Sequence, residues 1–343
     1  MNMHAHHYFF AAVLALPLLA GCASHHTVGE SVILIGRQNA RLANDHVSKV
    51  AVRSTYRDHL SNTVEYVEGQ DYLMDKATGE IQRTATSRIP DFSTNILYGQ
   101  EDFNHGKFPG YGNGKFFAFV DYSHPSITVG SLNTITNGLA ATRQKLLSGD
   151  ALKIVAFGDS ITAGGEATEP SLIFWQRWAD GLQKKYPAAK IQAINGATGG
   201  DTTGNGLQRL QAKVLEQKPD LVLIGFGMND HNREGFGVPL EKFAENLRTM
   251  IDRIRATTSA EIVLYSTFPP NPKWHFGSHR MEEYAKTTGQ VAQEKNCAFA
   301  DVYHRWETIA ARKKPEDLLG NNINHPNDFG HWIYFEALNA LEL

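Results

Sequence analysis

The chain has 343 residues, of which 42% are hydrophobic and 20% charged, the proportions of an ordinary globular protein; a disordered tail protein, a collagen-like chain and a coiled coil are excluded. Thirty-three Lys and Arg stand against 36 Asp and Glu, a formal charge of −3 with no run of like charges, so nucleic acid is not an expected partner. With only Cys22 and Cys297, neither a disulfide scaffold nor a Cys-rich zinc site can be built.

Phe9 to Ala20 is an apolar run broken only by Pro17. It is short for a bilayer span and fits the central segment of a signal peptide. It ends in Leu19-Ala20-Gly21-Cys22, which resembles the bacterial lipobox. The resemblance implies that residues 1–21 are removed on export and that Cys22 is lipidated. With Ala23 next rather than Asp, it implies an outer-membrane anchor, on the periplasmic or the surface side. The segment before the run has His but no Lys or Arg, so a plain secretory signal, giving a secreted or periplasmic protein, stays open. Lipid on Cys22 leaves Cys297 without a partner, as an inert buried thiol, and puts His25 and His26 in a short tether.

Residues 22–149 read as that tether and a smaller β-rich domain, sandwich-like. Ser31 to Ile35, Val64 to Val67, Asp71 to Met74, Ile81 to Thr86 and Lys115 to Tyr122 are strand candidates, with a turn at Lys76-Ala77-Thr78-Gly79. Asn104 to Gly114 is rich in Gly and rings (His105, Phe108, Tyr111); it either faces a ligand or is a surface loop.

From residue 150 to 343 strands and helices alternate. Strands are expected at Ile154 to Phe157, Ile191 to Ile194, Leu221 to Phe226, Glu261 to Tyr265 and Ala298 to Val302. Helices are expected at Leu172 to Tyr186, Gly206 to Gln217, Leu240 to Ala256, Arg280 to Lys295 and Phe329 to Leu341. Strands this apolar, separated by helices, indicate a five-stranded parallel sheet covered on both faces. Its active site belongs at the carboxyl ends of the strands.

Four motifs fall there: Gly158-Asp159-Ser160-Ile161-Thr162, Asn195 to Thr202 with Gly199-Gly200, Gly225-Phe226-Gly227-Met228-Asn229-Asp230, and Asn322-Ile323-Asn324-His325-Pro326-Asn327. A Ser on a tight turn after a strand exposes its hydroxyl and leaves its N–H free, as a nucleophile requires. Gly-Asp-Ser alone arises by chance in roughly one such chain in ten; four motifs in order carry far more weight.

Together they resemble the SGNH subgroup of the GDSL hydrolases, over about residues 150–343. The resemblance implies a flavodoxin-like three-layer α/β/α fold and a serine esterase without metal or other cofactor. Ser160 would be the nucleophile and His325 the general base. The N–H groups of Ser160 and Gly200 and the side-chain amide of Asn229 would form the oxyanion hole. Where the family has Asp, three residues before the His, this chain has Asn322. Asn322 is expected to orient His325 through its carbonyl, without charge, giving lower activity or a shift toward higher pH. Asp317 is the alternative partner.

Asp159, His231 and Trp274 are further candidates for substrate contact. Asp159 also fits as the brace of its own turn, His231 as a solvated side chain near the mouth, and Trp274 as part of a packed loop. Trp175 and Trp178 read as core. The export signal, the added β domain and the resemblance favour an esterase that removes acetyl groups from glycans. A lysophospholipase or thioesterase on longer acyl chains, and a glycan-binding surface lipoprotein with a degenerate hydrolase domain, are the alternatives.

Overall fold

The computed structural model describes residues 24–125 and 133–343, so the expected signal segment and Cys22 lie outside the described residues. Among the described residues no helix is long and apolar enough to cross a membrane.

The first part of the chain supplies β1 (Ser24–Ile33), β2 (Ala40–Arg41), β3 (Ser48–Arg53), β4 (Glu65–Tyr66), β5 (Tyr72–Asp75), β6 (Glu80–Arg83) and β7 (Phe117–Pro125). They form two antiparallel sheets, ordered β1-β7-β3-β4 and β2-β6-β5. Side chains alternate across a strand, and here the alternation assigns the faces. Val32, Ala118, Val120 and Tyr122 pack with Leu42, Val52 and Ile81 in the sandwich core. Ile33, Phe117 and Phe119 point the other way, into the main core of the molecule. The sandwich-like reading holds, but the sandwich shares its second face with the rest of the chain. His25 and His26, expected in a tether, are paired with His124 and Ser123 inside the β1–β7 ladder.

The second part contains α1 (Ala140–Ser148), β8 (Ala151–Gly158), α2 (Phe174–Lys185), β9 (Lys190–Asn195), α3 (Thr203–Lys213), β10 (Leu221–Gly225), α4 (Leu240–Thr257), β11 (Glu261–Tyr265), α5 (Met281–Glu294), β12 (Ala298–Ala300), α6 (Val302–Ala310), α7 (Pro315–Leu318) and α8 (Asp328–Asn339). β8 to β12 form one parallel sheet in the order β12-β11-β10-β8-β9. The central strand β10 is buried along its whole length, whereas edge strand β9 alternates exposed and half-buried residues. α2 packs on α8, and α3, α4 and α5 pack in series, the arrangement of a three-layer sandwich. The expected last strand stops at Ala300, and Asp301 caps a helix that the sequence reading did not place. From β8 the chain moves to β9 on one side and then to β10 on the other. This reversal opens a crevice at the strands' carboxyl ends.

The two parts are also tied by polar groups. The buried Lys313 ammonium lies 2.6 Å from Glu30 of β1. The Asp317 carboxylate accepts the Ile33 N–H at 2.6 Å, and the Ser31 hydroxyl donates to the Asp317 carbonyl.

Candidate active site

β8 ends at Gly158, and residues 159–166 make consecutive turns, with a short 3-10 turn at Pro170–Leu172 before the α-helix starts at Phe174. Asp159 is buried, and one carboxylate oxygen accepts the Ile161 N–H at 3.0 Å. Burial pushes its pKa up to about 7. It braces the turn and does not reach the cleft, so the expectation of substrate contact is not met.

Ser160 stands free on this turn, with its Oγ 2.8 Å from His325 Nε2. The N–H groups of Ser160 and of Gly200 donate to no protein group among the described residues. Gly200 has φ +78°, a left-handed conformation that glycine adopts without cost. Asn229 Nδ2 donates one hydrogen to the Asp201 carbonyl at 2.9 Å, which fixes the amide and leaves its second hydrogen available. Ser160, Gly200, Asn229 and His325 line one cleft of about 440 Å³. The three oxyanion-hole candidates therefore lie with the dyad, as the sequence placed them. Asn229→Ala is expected to lower kcat on a small ester by roughly 10²–10³-fold, the effect of losing one such donor; steady-state kinetics checks it.

His325 is held by a residue the sequence reading passed over. The Asn321 side-chain carbonyl accepts the N–H groups of Ile323, Asn324 and His325 at 3.0, 3.0 and 2.9 Å. Gly165 lies against the ring: a Cβ there would stand 2.9 Å from His325 Nδ1 and 3.0 Å from the Ser160 carbonyl. The Gly165 carbonyl in turn accepts from Nε2 of the buried His331 at 3.1 Å.

Asn322 does not orient His325. It sits at φ +62°, a conformation that Asn tolerates. Asn271 Nδ2 donates to its backbone and side-chain oxygens at 3.0 and 3.3 Å, and no hydrogen bond joins Asn322 to His325. Asp317 is excluded as a recruited partner, because its carboxylate is buried and accepts the N–H groups of Ile33 and Lys314. Among the described residues the pair is thus a Ser–His dyad to which no carboxylate is hydrogen-bonded. Asn322→Gly, which keeps the backbone unstrained, is expected to change kcat by less than roughly tenfold, against about 10⁴ where such a residue fixes the tautomer.

Burial of the His325 ring acts against the expected shift toward higher pH. Burial lowers the His325 pKa to about 4. A general base works in its neutral form, which here persists down to that value. The acid limb of kcat/KM is therefore expected near pH 4, below the range of an ordinary histidine; a pH–rate profile on p-nitrophenyl acetate measures it.

His231 is fully buried and not at the mouth; its Nδ1–H donates to the Met228 carbonyl at 2.6 Å. Trp274 reaches the cleft as an almost buried wall rather than an open ring face. Trp175 and Trp178 are core, and burial pushes the Cys297 thiol up to about 11. The Asn104–Gly114 loop does face the cleft: His105 and Tyr111 line it beside Trp274, Phe276 and the exposed Phe236. The loop is stapled on both sides, by Phe103 N–H to the Lys273 carbonyl (2.9 Å) and Asn113 N–H to the Gly320 carbonyl (2.7 Å). Among the described residues no group of three or more His, Cys, Asp or Glu is placed to hold a metal.

A serine–histidine pair at the switch point of a five-stranded parallel sheet defines a serine-hydrolase architecture. Residues 156–333 match the GDSL-like Lipase/Acylhydrolase family, and the chain belongs to this family of ester-bond hydrolases. It is 37% identical to an arylesterase of Vibrio mimicus over 185 residues, 53% of this chain and 84% of that protein. It is 25% identical to an acetylxylan esterase of Geobacillus stearothermophilus over 205 residues, 55% of this chain and 93% of the other. Among solved structures it is similar in fold to a two-domain esterase active on acetylated mannans, at a TM-score of 0.50 and 24% identity. That match covers 61% of this chain and only 55% of the esterase's length.

Proposed function

We propose that this protein is a serine esterase that removes acetyl groups from carbohydrate. The observation that carries the reading is the 2.8 Å Ser160–His325 contact in a cleft walled by rings and side-chain amides. Such walls suit sugar faces and hydroxyls better than a long acyl chain. His325 Nε2 takes the hydroxyl proton as Ser160 Oγ attacks the acetyl carbonyl. The N–H groups of Ser160 and Gly200 and the Asn229 amide receive the oxyanion. The proton passes to the departing sugar oxygen, and water, deprotonated by the same histidine, releases acetate from Ser160. The likeness to an acetylxylan esterase supports the acetyl-sugar assignment. Chain-length profiling with p-nitrophenyl esters, beside acetate release from acetylated xylo-oligosaccharides, tests it. Best turnover at acetate, with acetate released from the sugar, is expected. A maximum near eight carbons would move the protein to the lysophospholipase or thioesterase class. No ester cleaved by folded protein that still binds glycan would make it a binding protein.

The protein is exported, on this reading, and anchored in the outer membrane by lipid on Cys22, supported by Leu19-Ala20-Gly21-Cys22. Radiolabelled palmitate should enter the wild type and not Cys22→Ala; equal labelling of neither would favour a plain secretory signal.

A further inference from the structure

We propose that His105, supplied by the β-rich part of the chain, is a specificity residue that donates a hydrogen bond from Nε2 to the sugar carrying the ester. The inference rests on the acetyl-sugar reading above and extends it from the acyl group to the alcohol side of the substrate.

The tautomer follows from one contact. Trp274 Nε1 lies 3.1 Å from His105 Nδ1. An indole nitrogen only donates, so Nδ1 is the acceptor and the ring proton sits on Nε2. Partial burial lowers the His105 pKa, which favours the neutral ring. The ring is also fixed by packing, edge-on to Tyr111 at 5.4 Å and to Phe276 at 5.8 Å between centroids. Among the described residues Nε2–H has no protein partner, and the side chain is only half-buried. The side chain lines the same cleft as Ser160 and His325. Chemistry at the acetyl carbonyl is already served by the dyad and three donors. A further donor on a residue of the cleft wall, its tautomer set by Trp274, fits a hydroxyl or ring oxygen of the neighbouring sugar. A donor so fixed gives selectivity, because an alcohol lacking the acceptor leaves it unpaired.

The test compares kcat/KM on acetylated xylo-oligosaccharides with kcat/KM on p-nitrophenyl acetate for wild type, His105→Phe and His105→Gln. Phe keeps an aromatic ring in the packing; Gln offers one acceptor and one donor in comparable places. The glycan-to-acetate ratio is expected to fall about three- to tenfold in His105→Phe, mostly through KM, and to recover in His105→Gln. A ratio equal to wild type in both variants, or a fall that Gln does not reverse, would overturn the role of His105 while leaving the sugar esterase reading intact. A wild type that hydrolyses p-nitrophenyl acetate and releases nothing from the oligosaccharide would overturn that reading and this inference with it.

Discussion

Ser160→Ala is expected to lower kcat on p-nitrophenyl acetate by roughly 10⁴–10⁶-fold, the range seen when a serine hydrolase loses its nucleophile. The reason is geometric. Ser160 Oγ is the hydroxyl that His325 Nε2 meets, at 2.8 Å. The free N–H groups of Ser160 and Gly200 remain in the variant, so a small rate above that in water should persist. Little else should change, because the Ser160 side chain makes no other hydrogen bond among the described residues. Kinetics on purified protein, with a circular dichroism melt to confirm unchanged folding, checks both parts. A loss of under tenfold would mean that another group attacks the ester.

The second large effect is on stability, and it concerns the joint between the two parts of the chain. Lys313→Met is expected to destabilise the protein by about 3–5 kcal/mol, because it strands the Glu30 charge in the interior. Both side chains of this pair are wholly buried, and the contact measures 2.6 Å. Tyr122 and the Ala43 N–H still donate to Glu30, yet neither supplies a positive charge. Adding Glu30→Gln should restore part of the loss, since the unpaired charge is then gone. Urea denaturation of wild type, single and double variants measures this. A single variant as stable as wild type would show that the joint does not depend on the pair. The same geometry predicts one cooperative transition, with the sandwich and the parallel sheet unfolding together through their common core of Ile33, Phe117 and Phe119.

The parallel sheet was legible because burial on both faces leaves unbroken apolar runs in its inner strands, and three of the four motifs follow strands, at the ends of β8, β9 and β10, while the His325 motif lies between α7 and α8. Leu221 to Gly225 is such a run, and it delivers Asn229 to the cleft. The joint was not legible. Phe117-Ala118-Phe119-Val120 announces a strand apolar on both faces, yet nothing local says what covers each face. The Asn322 side chain illustrates a second limit. Its position in the motif suggested His325, but its partner is Asn271, 51 residues earlier, and only folding brings the two together. His231 followed Asn229 closely enough to suggest the mouth, while one turn of backbone carries it inside to meet Met228. Asn321 and Gly165 had no distinguishing chemistry in the sequence. Their work is to place atoms, by three accepted hydrogen bonds in one case and by the absence of a Cβ in the other.

On the proposed mechanism Ser160 attacks substrate and His325 alone activates it. Diisopropyl fluorophosphate labelling followed by peptide mass mapping tests this most directly. One modified residue is expected, Ser160, labelled rapidly in wild type and in Asn322→Gly and very slowly in His325→Ala. Labelling at another residue, no labelling of an enzyme that still hydrolyses esters, or equal labelling with and without His325 would contradict it.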